Sequence, residues 1–218
     1  MKQKYWLRRM LLYAFGLLVI AFGVAFSVNS DLGVSPVNSL PYVISQITGT
    51  ALSTCVILVF CAYIVIQVLL LKKEFHPIQL LQILFSTLFG YFVDFAGWIV
   101  GDFAIPTYAG QLTMLAISIG LIALGVLLYV EAGLVPMPME GLAMAVAKKT
   151  GRPFATMKIV VDCLSVGCAV AVSLVFLKDL VGVREGTVIT AIAAGKVVGL
   201  LKARLSPWLH RHYLRDAD

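Results

Sequence analysis

What most constrains this chain is a succession of apolar runs, each close to the roughly 20 residues an α-helix needs to cross bilayer hydrocarbon. Six can be drawn in its 218 residues, at about 10–29, 52–71, 78–100, 112–130, 154–177 and 186–205. Backbone N–H and C=O groups in lipid must be satisfied within the segment, so such runs read as helices. Only short polar breaks separate them, which leaves no room for a soluble domain. Composition agrees: 61% of the residues are hydrophobic and 13% charged, against about a quarter charged in soluble domains. The expected class is an all-α integral membrane protein. Met10 to Val28 follows Lys2, Lys4, Arg8 and Arg9 as a secretory signal would. It is longer than a signal's apolar core and lacks a clean small-residue cleavage site, so it reads as a retained helix.

Two more apolar segments, about 36–47 and 137–147, are too short to span. They read as short helices that re-enter the membrane or lie at its interface. The basic residues test this map. With the N-terminus inside, thirteen Lys and Arg fall in the cytoplasm, and only Lys178 and Arg184 fall outside. Lys158 and Lys196 lie within spans. This asymmetry is the positive-inside pattern and places both termini in the cytoplasm. The formal net charge of +6 is thereby assigned to topology and anionic lipid, and no nucleic-acid partner is expected. Cys55, Cys61, Cys163 and Cys168 lie inside apolar runs without ligand spacing, so they read as buried free thiols with no metal or cofactor.

The chain also repeats itself. Asp31, Gly33 and Pro36 align with Glu131, Gly133 and Pro136, and Gly23-Val24 with Gly125-Val126. Thr48-Gly49 matches Thr150-Gly151, Thr54 matches Thr156, and Cys61 matches Cys163. Each half reads span, Gly–Pro break, short helix, Thr-Gly turn, span, span. Three spans per half is odd, so residues 1–104 and 105–218 are expected as inverted repeats related by an axis in the membrane plane.

Several segments are similar to those of a known family: Asn29 to Pro36 with Ser39 to Tyr42, Phe89 to Asp94, Val135 to Leu142, Met157 to Asp162, and Gly182 to Thr187. On these the chain resembles the YczE/YitT-like family of small bacterial membrane proteins over nearly its whole length. The resemblance implies a multi-pass protein of the bacterial cytoplasmic membrane. Family members often carry a basic residue before the acid at Glu140, where this chain has Met139. They often carry Arg and Glu at the positions of Lys158 and Asp162.

Ionisable groups within spans are costly and therefore informative. Lys158 and Asp162, four residues apart, can meet on one helix face. Lys196, near the middle of the last run, has no acid at helical spacing. Asp94 lies late in the third run. Pro36 and Pro136 suit the first turn of the short helices, which puts Asn38, Ser39 and Glu140 near helix N-termini that attract anions. Arg184 and Glu185 precede the last run as a cap or an outer gate. Gly97 with Gly101, and Gly195 with Gly199, have the spacing of close helix contacts. The tail from Pro207 carries His210 and His212, two residues apart, and reads as an interfacial basic segment.

These features predict a small secondary transporter of a polar or charged solute and no enzymatic activity. Its substrate-binding residues would be Asn38, Ser39, Glu140, Lys158, Asp162 and Lys196, with Asp94, Asp162 and Glu140 as coupling carboxylates. The expected partners are the bilayer and the solute, and a homodimer is compatible. Two other readings stay open: a substrate-binding subunit that needs an energising partner, and a non-transporting accessory protein.

Overall fold

The computed structural model describes residues 2–212. Among them it contains eight α-helices: α1 (Lys2–Asn29), α2 (Pro36–Thr48), α3 (Leu52–Leu71), α4 (Leu81–Val100), α5 (Tyr108–Ala132), α6 (Pro138–Thr150), α7 (Phe154–Phe176) and α8 (Glu185–His212). Two short 3₁₀ turns, Lys72–Glu74 and Pro77–Leu80, join α3 to α4. Five segments are long and apolar enough to cross a bilayer, within α1, α3 with its following turn, α4 with its preceding turn, α5 and α7. The sixth expected span, α8, is long enough at 28 residues but falls outside that set. Lys196, Lys202 and Arg204 dilute its apolar content. Around the bundle, large apolar side chains such as Leu58, Leu69, Leu84, Trp98, Leu164 and Val175 stand exposed, as an outer surface in contact with lipid requires.

The two short segments are helices of 13 residues each, and their ends are built alike. Each opens on a proline preceded by an extended residue, Ser35 before Pro36 and Met137 before Pro138. Each closes on a left-handed glycine, Gly49 and Gly151, both at φ 67°. Glycine tolerates that conformation without a Cβ clash, which is why Thr-Gly ends both helices. The aligned proline is corrected here. Pro138, and not Pro136, begins α6, and Pro136 lies in the linker before it. Asn38 and Glu140 then hold the same place, two residues into their helices.

The centre of the bundle is the crossing of α1 and α5, by far the most extensive helix contact. The helices are antiparallel: Arg9 meets Ala132, Gly16 meets Gly125, and Gly23 meets Ser118. The approach is set by glycine. A Cβ on Gly125 would lie 2.5 Å from both the Gly16 carbonyl oxygen and Ile20 Cγ1. A Cβ on Gly23 would lie 2.7 Å from Ile122 Cγ1 and 3.1 Å from the Ser118 carbonyl oxygen. The Ser118 hydroxyl donates to the Gly23 carbonyl at 2.7 Å. The glycines singled out by spacing make no such contact. Gly97, Gly101, Gly195 and Gly199 have nothing within 4 Å of an added Cβ, so none of them sets a helix approach.

Around this seam the elements pack in matching pairs. α4 lies on α1 as α8 lies on α5, and α2 packs on α3 and α7 as α6 packs on α7 and α3. Along α8, Ala193 and Val197 pack toward Leu115 and Ile119 of α5, and Lys202 reaches Glu131 at 3.8 Å. One pairing breaks the pattern. α3 packs closely on α4, with the Phe60 and Phe89 rings stacked at 6.1 Å. α7 and α8 make no comparable contact among the described residues.

Candidate functional site

The space between α7 and α8 is a cavity of about 620 Å³. Its back wall is α5, through Ile122, Val126 and Tyr129, and the linker to α6. Ile159 of α7 and Ala191 and Gly195 of α8 line it and are exposed, so its mouth lies between those two helices. Most of the lining is apolar. The acidic and basic side chains in it are Glu140, Lys158 and Asp162.

Those three form one cluster. Lys158 Nζ donates to Asp162 Oδ1 at 2.5 Å and stands 3.8 Å from Glu140 Oε1. Side-chain exposure is 22–25% for all three. The first link is local, because residues four apart share a face of α7. The second needs the fold: α6 lies along α7 and aims Glu140 at the lysine. The other Glu140 oxygen, Oε2, is buried and has no hydrogen-bond partner. The buried hydroxyl of Thr190 on α8 is likewise unpartnered and lines the same cavity. At the rim, Arg9 donates from Nε to the Ala132 carbonyl and from Nη2 to the Gly133 carbonyl, at 2.5 and 2.6 Å. This satisfies carbonyls that the end of α5 leaves without helical partners.

The other expected site residues lie elsewhere. Lys196 is exposed and does not line the cavity. The stripe of α8 turned inward is Thr190, Ala193, Ala194, Val197 and Val198, and Lys196, expected among the substrate-binding residues, lies off that stripe and apart from the cavity cluster. Asn38 and Ser39 are buried in α2, and each donates a local hydrogen bond. Asn38 Nδ2 donates to Ser35 Oγ at 3.0 Å, and Ser39 Oγ to the Pro36 carbonyl at 2.9 Å. Asn38 Oδ1 has no partner, yet neither residue lines the cavity. Asp94 accepts from the Ser53 hydroxyl at 2.5 Å and the Ser53 N–H at 3.4 Å. It thus satisfies a free N–H in the first turn of α3 and lies apart from the cluster. Of the four thiols, Cys163 and Cys168 are exposed, not buried, on the outer face of α7.

Arg184 and Glu185 help close the end opposite the Arg9 rim. Arg184 Nη1 donates to the Asp31 carbonyl at 2.6 Å and pairs with the Asp31 carboxylate at 3.4 Å. Gly186 N–H donates to the Leu32 carbonyl, and Val34 N–H to that of Gly182. These bonds stitch the α1–α2 loop to the α7–α8 loop. Gly33 sits at φ 96°, and a Cβ there would lie 2.6 Å from the Arg184 nitrogen and Thr187 Oγ1. Only glycine admits that approach.

Two polar features were not singled out from the sequence. One is Thr190. The other is an amide pair, in which Gln67 and Gln82 bond each other at 3.1 and 3.3 Å while Gln67 also donates to the Pro138 carbonyl at 3.0 Å. A lone amide in an apolar run needs a partner, so each was visible by the argument that picked out Lys158.

The family of unknown function DUF6198 matches residues 7–203. The chain is 34% identical over 152 residues to the uncharacterized membrane protein YczE of Bacillus subtilis (strain 168), covering 69% of this chain and 68% of that one. It is 22% identical over 203 residues to the uncharacterized protein YyaS of the same organism, covering 93% and 94%. No solved structure matches. With the family spanning α1 to most of α8 and YczE aligned over two thirds of both chains, this is a membrane protein of the YczE-like family DUF6198.

Proposed function

We propose that the chain is a small secondary transporter built from two inverted three-span halves, residues 1–104 and 105–218, with α8 as the sixth span. One observation carries this reading: the helix pairing that is closed in one half is open in the other. α3 and α4 are held together by the stacked Phe60 and Phe89, by Gln67 with Gln82, and by Ser53 with Asp94. Their counterparts α7 and α8 stand apart, with the cavity in the gap. Halves that share a plan but differ in state suit alternating access. Exchanging the two states would move the opening from one side of the membrane to the other around a fixed site.

In this reading Lys158, Asp162 and Glu140 form the substrate and coupling site, and no covalent chemistry is performed on the solute. The contacts of Arg184 close the outer end in the present state. The thirteen-to-two distribution of basic residues supports cytoplasmic termini in a bacterial cytoplasmic membrane. The parallel course of α8 beside α5 supports its assignment as a span.

The test is transport by purified protein in liposomes under an imposed proton gradient. In a variant with all four cysteines replaced by alanine, Ile57→Cys and Gly90→Cys face each other across α3 and α4. A short, cleavable bifunctional thiol reagent bridging them is expected to stop transport, and cleavage to restore it. Transport that continues unchanged with α3 bridged to α4 would refute alternation at this pair. Binding without net movement would reassign the chain as a subunit of a larger transporter.

A further inference from the structure

We propose that the cavity between α7 and α8 binds lipophilic organic monocations, molecules whose single positive charge is shielded by apolar groups. The assignment deepens the transporter reading by naming its solute class, and it can be tested by binding alone.

Charge is the first argument. The cluster holds two carboxylates, Glu140 and Asp162, and one ammonium, Lys158. Fully ionised, it carries one net negative charge. Lys158 spends its short contact on Asp162 and reaches only one oxygen of Glu140, at 3.8 Å. Glu140 Oε2 is left buried and unpartnered. An uncompensated carboxylate in apolar surroundings is expensive, and a cation entering the cavity supplies the missing charge. An anion would add to the excess.

The walls narrow the class further. Ile122, Val126, Val130, Ile159, Ala194 and Val198 offer no hydrogen-bond acceptors to a ligand. A primary ammonium or a sugar would bring donors that these surfaces leave unsatisfied. A quaternary ammonium, a phosphonium or a tertiary amine brings one donor at most. Tyr129 lines the cavity, and its ring can face such a cation. A volume of about 620 Å³ lies within the range of small-molecule sites. The mouth between α7 and α8, at Ile159, Ala191 and Gly195, admits a molecule that partitions into lipid.

A proton on Glu140 would remove the same net charge, so proton and cation compete. The ionisable groups around it are Tyr13 from α1, Tyr129 from α5, and Lys158 and Asp162 from α7, with Tyr63 from α3 beside the last two. Arg9 is at the rim on the Ala132 and Gly133 carbonyls. Of the α8 residues that line the cavity, the one with a polar side chain is the neutral Thr190.

The probes are tetraphenylphosphonium and tetraphenylborate, a cation and an anion of nearly the same shape. Each is titrated by equilibrium dialysis against the full chain in lipid nanodiscs, with protein-free discs subtracted. The expected result is saturable binding of the phosphonium, weakened on acidification, and no saturable binding of the borate. Glu140→Gln should weaken the phosphonium by about tenfold or more. Should that variant fail to fold, Ala194→Trp fills the cavity from its wall and should also abolish binding. Saturable binding of the borate as tight as that of the phosphonium, or phosphonium binding unaffected by Ala194→Trp, would overturn the proposal. Phosphonium binding without transport would leave the site standing and remove the transporter reading. Transport of some solute by a protein that does not bind the phosphonium would overturn the cation site alone.

Discussion

Gly23 of α1 and Gly125 of α5 hold corresponding places at one antiparallel crossing. Gly23 faces Ile122 and the Ser118 carbonyl, and Gly125 faces Ile20 and the Gly16 carbonyl. The partners stand in the same relation on both helices, with the first three residues and the second seven residues before the other glycine. Backbone meets backbone at both places, and neither has room for a methyl group.

Gly125→Val should therefore strain the seam between the halves. Overpacking of this kind costs about 1–3 kcal/mol, read as a lower unfolding temperature in detergent. Gly120→Ala is the control, because an added Cβ there meets nothing within 4 Å. It should leave the unfolding temperature unchanged or slightly raised.

The charges of the cavity cluster make a prediction by arithmetic. Asp162→Asn leaves Lys158 with Glu140 alone, and the cluster becomes neutral. Phosphonium affinity should fall by about tenfold. Adding Lys158→Met to Asp162→Asn leaves Glu140 as the sole charge, and binding should return. Lys158→Met alone strands two carboxylates beside each other and should destabilise more than the double variant does. A double variant that stays as weak as Asp162→Asn would show that a specific contact, and not net charge, governs binding.

Asp94 serves α3 in this structure. Asp94→Asn weakens a charged acceptor for the Ser53 hydroxyl and N–H, which should cost about 1 kcal/mol of stability. Phosphonium affinity should remain at the parental value. A loss of affinity without a loss of stability would return Asp94 to the coupling site.

Membrane orientation is checked by labelling single cysteines on intact cells, in the variant without native cysteines. A membrane-impermeant thiol reagent should reach Ala104→Cys and Leu180→Cys, and should reach Lys149→Cys only after lysis. Labelling of Lys149→Cys on intact cells would invert the assignment.

Helix ends were legible because their chemistry is local. Thr48-Gly49 and Thr150-Gly151 end their helices as the turn residues dictate. Lys158 and Asp162 were legible for the same reason, since four residues along a helix is a contact in itself. The proline register was not. Pro136 and Pro138 are both able to open α6, and the sequence alignment favoured the one that the linker uses. Facing was hardest to read. A membrane helix is apolar on all sides, so no stripe marks its inner face. That is why Lys196 and Gly199 turned out to lie off the packed face of α8, and why the glycines of the central crossing are those of α1 and α5. The approach of Glu140 to Lys158 depends on α6 packing against α7, and nothing in either segment alone encodes it.

The sideways mouth between α7 and α8 has a consequence for any measurement of affinity. An apolar chamber open to a bilayer is not vacant at rest, because an acyl tail fills it more cheaply than water does. Each guest must first displace that tail. Apparent affinity then becomes a property of the host lipid as well as of the protein, and should differ between bilayers whose tails enter such a space with different ease. A screen run in a single detergent would rank ligands by how well they compete with that detergent.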